Sequence, residues 1–179
     1  MRLLLVTLFV AVASTNGALP GLGAVTNIAN SIGGAVSSVT NLPNIVVNDI
    51  IVSSINSIAP AVQTLNGIDS VATQQFVNDL AIPITNIEAI VNSIPTNPEN
   101  VGNLATDIDQ VGTIVSNYIT TVGSQSGAQP SVQQIADTAV KAGQDLTTAL
   151  QASGVPVPQE VKDAITNAAA QINNAVANL

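Results

Sequence analysis

The sequence predicts an all-α fold, an elongated bundle of five to six amphipathic helices, some kinked at proline. Three observations predict it. Aliphatic residues recur at alternating steps of three and four along almost the whole chain, which gathers them on one side of an α-helix and would scatter them over both faces of a strand. Aromatic residues make up only 2% of the chain and there is no Cys, so aliphatic burial has to hold the fold without disulfides. Pro, Gly and Asn punctuate the periodic stretches at helix-length intervals.

The chain opens with a leader. Arg2 precedes the apolar run Leu3 to Val12, followed by small residues at Ala13, Ser14, Thr15 and Gly17. That run is too short for a bilayer span and reads as a secretory signal peptide over residues 1–17, cleaved after Gly17, with Ala13 as the alternative site. Residues 18–179 are then expected to form a single helical domain, with no transmembrane span once the leader is removed.

The first mature element is expected from Leu22, on Val25, Ile28, Ile32, Val36 and Val39, weakened by Gly33-Gly34 at about 1 kcal/mol per Gly. From Pro43, a second helix places Val47, Ile51, Ile55, Ile58, Val62 and Leu65 on one seam. The rhythm survives Pro60, which predicts a kinked helix or two collinear ones, and Asn66-Gly67 closes it. A third starts near Asp69-Ser70 and carries Phe76, Val77, Leu80, Ile84, Ile87, Val91 and Ile94 through Pro83. These two segments share words such as Val47-Asn48-Asp49 and Val77-Asn78-Asp79, but at unequal offsets, so they are not a repeat.

The strongest pattern is the fourth, Pro98 to Val122. Val101, Leu104, Ile108, Val111, Val115, Tyr118 and Val122 form one unbroken stripe, the candidate apolar contact face. Asn97 is the expected N-cap, Pro98 fits the first position, and Gly123 stops the helix. Residues 123–130 then form the longest linker and the candidate flexible joint. Ser131 and Gln134 suggest a capping box opening a fifth helix on Val132, Ile135, Ala139, Leu146 and Leu150, ended by Gly154. After Pro156 and Pro158, a sixth runs on Val161, Ile165, Ala168, Ile172, Val176 and Leu179, with enough Ala to pack closely or only lightly. Val, Ile, Thr and Asn are mediocre helix formers, so mutual burial has to outweigh propensity.

Charge and chemistry exclude more than they assign. Charged residues are 8% of the chain, against about 25% in ordinary domains. The formal net charge is -8, which repels nucleic acid and anionic membrane surfaces. No Asn has Ser or Thr two residues on, so no N-glycan is expected. With no His, Cys or Trp, the usual general base, thiol nucleophile and soft metal ligands are missing. The chain therefore reads as a non-enzyme that needs no cofactor or metal. Asp107 and Asp109 point about 200° apart on one helix and read as solvated residues rather than a dyad. Lys141 has Asp137 and Asp145 one turn away on either side, a surface pairing. Phe76 and Tyr118 fall on apolar seams and read as core.

A signal peptide, no Cys, few aromatics and successive Ala/Ser/Thr/Val/Ile/Leu helices across the mature chain resemble the fungal hydrophobic-surface-binding proteins of the cell-wall galactomannoprotein family. The resemblance implies a secreted helical protein that adsorbs to hydrophobic surfaces or sits in the wall. It supplies no functional residues. The Asn richness, the Gly-rich start at Gly21 to Gly34, Pro60 and Pro83 depart from it and fit an animal secreted structural protein equally well. The expected function is apolar contact with a hydrophobic surface or lipid, outside the cell or in a wall or matrix. A self-associating matrix protein and a carrier of a small apolar ligand are the alternatives.

Overall fold

Stripes of aliphatic side chains have to find partner surfaces, and in the computed structural model they find them in one another. It describes residues 42–94, 97–152 and 154–179, without the side chains of residues 42–48 and Val52. The expected signal peptide and the helix expected over Leu22 to Val39 lie outside the described residues. Within them are five α-helices and no strand: α1 (Leu42–Ile68), α2 (Ser70–Ser93), α3 (Leu104–Val122), α4 (Gln129–Ala152) and α5 (Gln159–Ala177). No helix among the described residues is long and apolar enough to cross a membrane.

The two prolines behave as their seams predicted. α1 runs through Pro60 and α2 through Pro83 without ending. Each proline removes one backbone donor from the helix ladder, but the apolar stripe on both sides of it faces the same core. Pro83 is itself buried. Asp69 is the sharp corner between α1 and α2. Its carboxylate accepts the Ala72 N–H at 2.9 Å, and this N-cap bond lets α2 begin at Ser70 with Asp69 alone separating it from the end of α1.

Two starts differ from expectation. Pro98–Asn103 is a 3₁₀ helix that passes into α3 at Leu104, so the first turn is tighter than an α-helical one. Gly102 and Asn103 are weak helix formers, and Gly102 lies close to Glu160, where an added Cβ would come within 3.1 Å of Oε1. The capping box at Ser131 does not form either. Gly127, at φ 83°, turns the chain early, and the Ala128 carbonyl receives the Ser131 and Val132 N–H groups at 3.0 Å. Pro130 fits within this first turn, Ser131 is buried inside it, and Gln134 instead donates to the Ser57 carbonyl at 2.8 Å. The other end of α4 follows the prediction. Gly154, at φ 76°, donates to the Gln151 carbonyl, and Val155 reaches back to that of Leu150, the paired bonds of a Schellman cap.

The helices run up, down, up, down and up. One core cluster joins Leu65 of α1, Phe76 of α2, Ile119 of α3, Val132 of α4 and Ile172 of α5. The other joins Val91 of α2, Leu104 of α3, Leu150 of α4 and Val161 of α5, with Ile50 and Ile51 of α1 packed against it. Each helix therefore contributes to both ends, and Val111 of α3 touches both clusters. The closest pairings are α3 with α5 and α1 with α4, with α2 packed chiefly on α3.

α3 and α5 approach closely because their contact is made of small residues. A Cβ added at Gly112 would sit 2.6 Å from the Ala168 Cβ. The abundance of Ala in α5 is thus a matter of close packing at this level. Gly123, which ends α3, has an ordinary φ of -66°, and the tip of the C-terminal Leu179 side chain lies against it.

Candidate functional site

The stripe from Val101 to Val122 faces inward. Val101, Leu104, Ile108, Val115, Tyr118 and Val122 are buried and Val111 is half-buried, all packed against neighbouring helices. Three residues of α3 outside the predicted stripe, Asp107, Gly112 and Ile119, are buried as well. α3 has α2, α4 and α5 around it, so its buried arc is wider than a single seam. The sequence carried a signal for this, because no charged residue occurs from Gln110 to Val122.

Halfway along the bundle, between the two core clusters, the side chains leave a cavity of about 150 Å³. Every helix contributes a stripe to its wall: Ile51, Ile55 and Ile58 from α1, Leu80, Ile84 and Ile87 from α2, Ile108, Val111 and Val115 from α3, Ile135 and Leu146 from α4, and Ile165 and Ile172 from α5. The space exists because small residues fall at this level. The α4 seam passes from Ala139 to Leu146 through Ala142 and Gly143, while α5 offers Ala168 and Ala169. Ser54 of α1 and Thr138 of α4 are the polar side chains in the wall. Sequence reasoning missed the site, although the Ala142-Gly143 gap in an otherwise large-residue seam marked its level.

Near one end of the bundle lies a small polar network. Phe76 and Tyr118 stack with ring centroids 4.0 Å apart and planes 9° from parallel, both buried as their seam positions implied. The Tyr118 hydroxyl is 2.7 Å from Thr73 Oγ1, which donates its own proton to the Asp69 carbonyl. Thr73 therefore accepts from Tyr118, and the phenol stays protonated. Burial pushes its pKa up to about 12. The Asp69 carboxylate is held below its ordinary value, first by the Ala72 N–H and then by Gln125, whose amide donates at 3.2 Å. Gln125 belongs to the α3–α4 joint, so this contact ties that joint to the α1–α2 corner.

Among the described residues, no three acidic side chains gather where they could hold a metal ion. Asp107 is buried and accepts from Asn86 of α2 at 2.9 Å, correcting its reading as a solvated residue. It flanks Leu104 and Ile108 on the side where α2 packs. Asp109 is half-buried, and its Oδ1 has no hydrogen-bond partner among the described residues. Burial raises the pKa of Glu88. Lys141 pairs with Asp145, while Asp137 accepts from Gln133 instead. Comparison of the chain with protein-family profiles, curated proteins and solved structures finds no match.

Proposed function

We propose that the chain is a secreted, non-catalytic helical protein that acts by apolar contact, and that it carries a small hydrocarbon-like molecule between its helices. The observation that supports this reading is the mid-bundle cavity, walled almost wholly by aliphatic side chains from all five helices. An enclosed apolar cavity of about this size accepts molecules the size of benzene or xenon. At ~0.8 kcal/mol per buried carbon, a six-carbon guest gains about 5 kcal/mol, a dissociation constant on the order of 0.1 mM. Benzene added to the full chain should raise the thermal midpoint in a saturable way, and Ala142→Leu, which fills the space, should abolish that rise while the variant stays folded by circular dichroism. Flat titrations with benzene and with phenol alike would reject the carrier reading.

A second reading is adsorption to a lipid or other hydrophobic surface, which the family resemblance implies. It is supported by helices that rely on mutual burial, and by Val71 and Ile82 of α2, which are 77% and 66% exposed. With the aliphatic stripes turned inward, such adsorption requires the bundle to open. Tensiometry at micromolar protein should then show slow, large surface activity, and an inert film removes this reading.

A further inference from the structure

We infer that the cavity selects a neutral guest of about six carbons that carries one oxygen, a hydroxyl or a carbonyl, over the bare hydrocarbon of the same size. The inference rests on the carrier reading and adds the class of guest. It comes from Ser54 and Thr138. They are the polar side chains among the described residues of the wall, and their hydroxyls form no hydrogen bond with any described residue.

This sets them apart from neighbours on the same helices. Ser57 returns its hydroxyl to the Ser53 carbonyl at 2.8 Å, Thr147 to Gly143 at 3.2 Å and Thr148 to Gln144 at 3.0 Å. A hydroxyl engaged in that way has no proton left to give. Ser54 and Thr138 keep both donor and acceptor capacity.

The register places the two at one level. α1 and α4 are antiparallel, and Gln134 of α4 donates to the Ser57 carbonyl of α1. One turn further along α4, and one turn back along α1, stand Thr138 and Ser54. Both are half-buried, so they lie where the cavity meets the α1–α4 wall and the outside. A guest with its carbon body among the isoleucines can place an oxygen there.

The same wall argues against a charged guest. Among the described residues no cationic side chain lines the cavity, so a carboxylate would be buried without a counter-charge in a chain of net charge -8. An uncharged oxygen has partners for both its donor and its acceptor functions.

Benzene and phenol, which differ by one hydroxyl, provide the test on the full chain by ligand-observed NMR and calorimetry. The expected result is that phenol binds tighter than benzene, on the order of tenfold for one net hydrogen bond to the wall. The double variant Ser54→Ala, Thr138→Val should lose that preference and bind benzene as before. If the two hydroxyls do not engage the guest, burying an unpaired phenol oxygen makes phenol the weaker ligand. Benzene tighter than phenol, or a phenol preference unchanged in the double variant, overturns the inference and leaves the carrier reading standing. Binding of neither probe overturns both.

Discussion

Tyr118 shows how one polar atom is accommodated in an aliphatic core. Its ring stacks on Phe76 and its hydroxyl gives its proton to Thr73. Because the folded-state pKa, about 12, lies above the ordinary 10.0, the stability this group contributes is fully present below pH 10 and is lost as pH rises toward 12. Urea unfolding of the native chain at pH 9 and pH 11 should therefore show a drop that Tyr118→Phe largely removes. At pH 9 the same variant should cost about 1 kcal/mol for the lost hydrogen bond. Equal pH dependence in the two proteins would place the titrating group elsewhere. Asp69 has the opposite sign. Its lowered pKa gives stability that is present above the ordinary 3.8 and lost as pH falls.

At the scale of elements, the contact of α3 with α5 depends on Gly112 more than on any stripe. Alanine is the better helix former, by about 1 kcal/mol, yet its Cβ would collide with both Cβ and Cα of Ala168. Overpacking at such a site costs about 1 to 3 kcal/mol. Gly112→Ala should therefore lower stability in chemical denaturation despite its propensity, and adding Ala168→Gly should restore part of the loss. A net gain in stability from the single change would show that the two helices separate easily. The elements themselves were legible in the sequence, because a three-four rhythm depends on local spacing alone. It located α1 and α2 across their prolines, and it located the stops at Gly123 and Gly154. What it did not contain was the identity of each neighbour. Asp107, Gly112 and Ile119 are buried because α3 is enclosed by α2, α4 and α5, and one helix read alone has only one visible stripe. The early start of α4 escaped for a related reason. A capping box at Ser131 and a glycine turn at Gly127 are both sound local signals, and the burial of Ala128 and Ser131 favours the second.

At the scale of the molecule, the five amphipathic helices of the described residues close on one another, and their polar faces of Asn, Ser, Thr and Gln remain outside. The stripe from Val101 to Val122 is thereby committed to internal contacts, and the space left at mid-height is where, among the described residues, the aliphatic interior can meet a foreign molecule without the helices parting. The cavity was not legible in the sequence, since it is a property of what five stripes fail to fill together. An unfilled volume also has a mechanical consequence. Unfolding lets water occupy it, so the disordered chain takes up less room in solution. The volume decrease on unfolding, about 20 to 100 mL/mol for proteins in general, grows with the internal space that unfolding eliminates. Hydrostatic compression should thus act on this bundle much as heat does, and an occupied cavity should make it barometrically tougher.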